Sequence, residues 1–207
     1  MRSPSSPPVA PRAVPATVPP ASEVLEFWFG EPARSLWFAT RPTFDDEVRS
    51  RFGAVVAAAA AGELDPWAAD PGSALALTIV LDQFPRNIHR GTPAAFAHDA
   101  RARAVADRAI QRRFDLAVPL DRRMFFYLPF QHSEVLADQD CSVKLFTRWA
   151  SEHPEDRRAH ADDEMTYVIR HHEIIRRFGR FPHRNAILGR ASTPDEIAFL
   201  REPGSSF

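Results

Sequence analysis

Residues 74–84 read Ala-Leu-Ala-Leu-Thr-Ile-Val-Leu-Asp-Gln-Phe, apolar on nearly every side until the last turn. The alanines have low strand propensity and apolar and polar residues do not alternate, so helix is favoured over strand. A helix that is apolar all round cannot lie on a surface; other elements must cover every face of it. The rest of the chain is therefore expected to wrap a central helix, and turn and cap residues mark out the wrapping. Ser22 reads as the N-cap of a short helix over residues 23–29, which Gly30 ends. Thr43 with Asp46 resembles a capping box for a helix to Ala61, stopped by Gly62. Ser73 starts the central helix, and Thr92-Pro93 caps a helix to about Arg113. Pro119 opens a helix that ends before Pro129, and Ser133 caps another through Trp149. Pro154 opens the longest helix, which ends at Phe178 with Gly179 at C′. Its apolar face is read as Met165, Val168, Ile169, His172 and Ile175. Thr193-Pro194-Asp195-Glu196 repeats the cap-plus-proline device for a last short helix. No strand pair or hairpin turn is evident. The expected fold is all-α, with seven to nine helices, as stacked antiparallel hairpins or an irregular bundle with no significant sheet.

Residues 1–21 contain seven of the nineteen prolines, with Ser, Ala and Val between them, and are expected to form a disordered, extended leader. A tail or a misassigned start accounts for it more simply than a proline-motif ligand. Residues 22–207 are then one helical domain, long enough for a full core. The formal net charge of −1 gives no global field toward nucleic acid or membrane. Cys141 is the single cysteine, which excludes an intrachain disulfide and a multi-cysteine metal site and suits a reducing compartment. No apolar stretch approaches the roughly 18 residues of a membrane span, and the leader lacks a secretory signal, so a cytoplasmic location is expected.

Four long motifs carry a family resemblance: Glu26-Phe27-Trp28-Phe29-Gly30; Leu81-Asp82-Gln83-Phe84-Pro85-Arg86-Asn87; Met124-Phe125-Phe126-Tyr127-Leu128-Pro129-Phe130 with His132-Ser133-Glu134; and Arg177-Phe178-Gly179-Arg180-Phe181-Pro182-His183-Arg184-Asn185. Over roughly residues 23–207 the chain resembles the bacterial family catalogued as domain of unknown function 924. The resemblance implies a helical fold similar to tetratricopeptide-repeat folds and assigns no catalytic residue. The chain itself lacks the 34-residue tetratricopeptide pattern.

Three of these motifs place more polar chemistry at helix ends than capping requires. Asp82 and Gln83 end an otherwise apolar helix, where a buried carboxylate needs a cation or several donors, and Arg86 and Asn87 stand close by. Arg180, His183, Arg184 and Asn185 offer forked donors suited to carboxylate or phosphate, or alternatively caps for helix carbonyls. His132, at a helix entrance beside Glu134, is suited to proton transfer near neutral pH or to a bond with a backbone carbonyl. The favoured expectation is a common pocket that binds a small anionic molecule or an acidic peptide end. Its ligand-binding residues would be Gln83, Arg86, Asn87, Glu134, Arg180, Arg184 and Asn185. Asp82, His132 and His183 would be the catalytic groups if a hydrolase or lyase reaction occurs there. No metal and no cofactor are expected: His171 and His172 diverge by about 100° on a helix, and no His-Glu-x-x-His motif occurs. Cys141 reads as a buried thiol without an activating helix N-terminus. The aromatic residues, Trp37 and Phe38 among them, read chiefly as packing with some available to line a groove. The main rival is a non-enzymatic interaction scaffold. An RNA-associated protein is a third reading, against which Asp99 and Asp107 interrupt the Arg101, Arg108, Arg112 stripe.

Overall fold

The computed structural model describes residues 18–155 and 158–206. Among them are eight α-helices and no strand. They are α1 Ala21–Phe29, α2 Pro42–Ala60, α3 Pro71–Ile88, α4 Asp99–Gln111, α5 Leu120–Gln131, α6 Leu136–Ser151, α7 Arg158–Phe178 and α8 Pro194–Phe199, joined by short turns, several of them single 3-10 turns. The all-α expectation is met. Most of the proline-rich leader lies outside the described residues.

α3 is the central helix, and fourteen of its eighteen residues are buried. It packs against α1, α2, α4 and α5, while α7 packs on α6 and α5. One large core joins Trp28, Phe44, Phe52, Phe84, Phe125 and Trp149 with the aliphatic side chains of α3 and α5. A small second cluster of Ile174, Ile175, Phe181 and Phe199, with Phe178 against it, seats α8 on the end of α7.

Several expected boundaries move. α1 starts at Ala21 with Pro20 at the N-cap, so Ser22 lies inside its first turn. α2 starts at Pro42, which puts Thr43 inside the helix and not at its cap. α3 begins at Pro71, capped by Asp70, whose carboxylate accepts from the Ser73 amide at 3.0 Å. Thr92-Pro93 opens only a 3-10 turn, Pro93–Phe96, before α4. Two larger differences concern prolines: α3 runs past the expected end of its apolar stretch at residue 84 and through Pro85, and α5 runs through Pro129. Each proline removes one helix hydrogen bond. Both helices are buried around their prolines, and packing on all sides outweighs that local loss.

Ser133 does not cap α6, whose N-cap is Val135; its hydroxyl instead accepts from the Val135 amide at 3.2 Å and donates to Asp138 at 2.6 Å. α7 has its Gly179 stop, in the left-handed region at φ 68°. Its buried stripe, however, runs through Ala161, Val168, His171 and Ile175, whereas Ile169 is exposed. Thr193 and Glu196 form the expected capping box of α8.

Candidate functional site

The last turns of α3 and α5 meet behind a cavity of about 520 Å³. α3 contributes Gln83, Arg86 and Asn87 to its wall, and α5 contributes Leu128, Gln131 and its C-cap residue His132. α7 adds Glu164, Tyr167 and His171; the segment after it adds His183, Arg184 and Ile187. Trp37, Phe38 and Phe96 complete an aromatic side.

Asp82 lies just beneath the wall, 1% exposed. Its Oδ1 is 2.8 Å from His132 Nδ1 and 3.3 Å from the Arg86 guanidinium, and its Oδ2 accepts from Gln83 at 2.6 Å. Burial pushes its carboxyl up, but His132 and Arg86 beside it hold it well below the usual carboxylate range. An ionised Asp82 only accepts, which assigns the proton to His132 Nδ1. Burial, with the charge of Arg86, pushes the His132 imidazole down against the pull of Asp82. The ring is therefore neutral near pH 7 and its Nε2, turned away from Asp82, is an unprotonated acceptor. The loop that presents His132 is fixed by Gln139 of α6, whose buried amide donates to the Gln131 and Ser133 carbonyls at 2.7 Å each.

Arg86 has its carboxylate acceptors within the protein: besides Asp82, it makes a two-pronged contact with Asp99 at 2.8 and 3.0 Å. Arg184 has no such bond. Only 6% exposed, it lies with its guanidinium carbon 4.5 Å from the centres of both the Phe96 and Phe181 rings. Its nearest carboxylate, Asp99, is 3.6 Å away, too long for a hydrogen bond, and its buried Nε has no acceptor. Burial and the like charge of Arg86 bring it down to about 10, which still leaves it charged at neutral pH. Two wall histidines are neutral near pH 7, and one wall carboxyl is partly ionised there. Burial and Arg184 take His183 down to about 4, and burial takes His171, bonded to the Tyr167 carbonyl at 2.7 Å, down to about 3. Burial and neighbouring Asp163 raise Glu164 to about 7.

Asp82, Gln83, Arg86, Asn87, His132, His183 and Arg184 thus come together at one cavity. Glu134, Arg180 and Asn185 do not line it. Arg180 grips Glu196 with contacts of 2.6 and 2.7 Å. Glu134 accepts from the Phe181 amide at 2.8 Å and from Arg190. Asn185 donates to Ser192 and accepts from Arg190, at 3.0 Å each. These residues form a clasp that folds the chain after α7 back onto the helix ends, and internal partners occupy their polar atoms. Asn87, though on the wall, donates to Asp45, which also holds Arg90 by two bonds. Two wall residues lie outside the expected site set, Glu164 and His171, the latter considered from sequence only as a metal ligand; both lie in helical phase with Ala161 and Val168, whereas the expected stripe ran through His172. His172 instead contacts Asp140 at 2.8 Å.

Elsewhere, Arg101 and Arg112 of the α4 stripe donate to the Ala60 and the Ala68 and Ala69 carbonyls, closing neighbouring helical turns. The half-buried Cys141 thiol is pushed up by burial. Among the described residues no cluster of three His, Cys, Asp or Glu side chains is placed to hold a metal ion, and no helix is long and apolar enough to cross a membrane.

Fold and site together define a protein, all-helical over its described residues, with a cavity of polar and aromatic walls set where its helix ends meet. The chain belongs to the DUF924 family of bacterial proteins of unknown function, whose model matches residues 24–204. It is similar to a solved structure of the protein of unknown function ATU0120 from Agrobacterium tumefaciens, with 41% identity and a TM-score of 0.76, covering 87% of this chain and 96% of that one. No curated protein matches the chain.

Proposed function

We propose that the cavity binds a small anionic molecule, with Arg184 as the contact for its charge and His132 as a base beside it. The observation that carries this reading is Arg184 itself. A charged guanidinium buried against two rings without a hydrogen-bonded acceptor is costly unless something supplies one. An anion entering the cavity would accept from it in the planar, forked geometry that suits arginine to carboxylates and phosphates. The neutral His132, oriented by Asp82, supplies an acceptor nitrogen at the same cavity, the arrangement a general base needs.

Thermal shift with benzoate, citrate, inorganic phosphate and adenosine monophosphate tests this on the parent, on Arg184→Gln and on Arg108→Gln as a surface control. A ligand at about 100 times its Kd stabilises by about 2.7 kcal/mol, well within reach of the method. At least one anion is expected to raise Tm in the parent and the control and to have no effect on Arg184→Gln. No shift with any anion, or an equal shift in all three proteins, contradicts the reading.

A further inference from the structure

We infer that the ligand of this cavity is amphipathic: a singly charged carboxylate head at Arg184 with an apolar body lying toward Trp37, Phe38 and Tyr167. This rests on the anion-binding reading above and specifies the class of molecule.

Charge balance fixes the head. Arg86 and Arg184 face Asp82 and Asp99, and Arg90 is matched by Asp45. The three arginines are thus already offset by three carboxylates, and the site has no surplus positive charge for a dianion such as phosphate. Glu164 on the same wall adds to the penalty against multiple negative charge. What the site lacks is one acceptor for the Arg184 fork, and a carboxylate provides that with a single charge.

The body follows from the opposite side of the cavity. Phe38 is 61% and Tyr167 54% exposed, and these two exposed aromatic side chains both line the cavity. Burial in the core does not account for them: Phe38 meets Trp37 at its edge, and Tyr167 stands more than half exposed on the cavity wall beside Glu164 and His171. Apolar surface held open at the mouth of a cavity is the usual counterpart of an apolar ligand, and a volume of about 520 Å³ admits one of several carbons beyond the head.

The test is calorimetric titration of the full chain with acetate, butanoate, hexanoate and octanoate, with hexanol and inorganic phosphate alongside. Affinity is expected to rise by up to about fourfold per added methylene, the factor for moving one such group out of water. Hexanol should bind at least about tenfold more weakly than hexanoate, the share of one charge-assisted contact. Phe38→Ser and Tyr167→Ser change exposed side chains and should keep the parent Tm while flattening the gradient; Arg184→Gln should abolish carboxylate binding at every length. Equal affinity for acetate and octanoate, or phosphate binding more tightly than hexanoate, would overturn the amphipathic assignment while leaving an anion site in place. Absence of binding by every carboxylate and by phosphate would overturn both.

Discussion

His132 and Asp82 are fifty residues apart in sequence and 2.8 Å apart in space, and each fixes the protonation of the other. Asp82→Asn replaces the carboxylate by an amide, so the His132 tautomer is no longer fixed and Arg86 keeps only Asp99. A loss of about 3 kcal/mol in denaturant unfolding is expected, the low end for breaking a buried pair, with a shift of the His132 ring nitrogens by NMR. The histidines also set the pH response. His183 and His171 titrate near 4 and 3 in the folded protein and near 6.5 when unfolded. The unfolded chain therefore takes up protons first, and these rings remove stability as pH falls from about 6.5 toward 4. Glu164 works in the opposite sense, because its folded value is raised to about 7 and its cost appears as pH climbs above the ordinary glutamate value. Glu164→Gln should thus have a higher Tm than the parent at about pH 8 and an equal one at about pH 4, whereas His183→Asn should lose less stability than the parent between those limits. Residue chemistry was legible where type and position coincide: an acid ending an apolar helix needs a cation and finds Arg86. It was not legible where partner choice decides, since nothing in Arg180 and Arg184, four residues apart, says that one meets Glu196 and the other meets two phenyl rings.

Helix type was written in the apolar periodicity and in the Gly and Pro punctuation, which is why the eight helices and lack of strand among the described residues were within reach of the sequence. The boundaries expected near two prolines give way because proline acts locally while burial acts through the whole environment. α3 and α5 run on past Pro85 and Pro129, and this extra turn in each carries Arg86, Asn87 and Gln131 to the cavity. The one-residue phase error on α7, His172 for His171, has the same origin: a stripe containing Ile and Tyr on several sides fixes the helix but not its rotation. α6 contributes through Gln139, a residue with no sequence signal, whose amide satisfies two carbonyls at the exit of α5. Gln139→Leu leaves those carbonyls buried without a donor. A loss of about 2 kcal/mol is expected, with faster amide exchange over residues 130–135 and little change in α1 or α2.

At the scale of the molecule, α1–α6 build the core, and α7 together with the segment beyond it closes the cavity over the ends of α3 and α5. The closing piece is held by the ion-paired clasp of Glu134, Arg190, Asn185, Arg180 and Glu196 and by the small cluster around Phe181 and Phe199. Glu134→Ala should therefore cost about 2 kcal/mol and raise amide exchange over residues 180–200 while leaving the protection of α3 unchanged. It should also weaken any anion binding, since Arg184 sits in that segment. Convergence of distant motifs was legible only as an expectation; contact between the Arg184 segment and Asp99 follows from how α7 lies across the core, which no local pattern encodes. The account stands on Arg184 being an anion contact, and a crystal structure of the protein grown with octanoate tests that directly. The carboxylate should accept from the Arg184 guanidinium, with its chain running past Phe38 and Tyr167. A carboxylate bound in the cavity but paired with Arg90 or Arg180, leaving Arg184 without an acceptor, would contradict it.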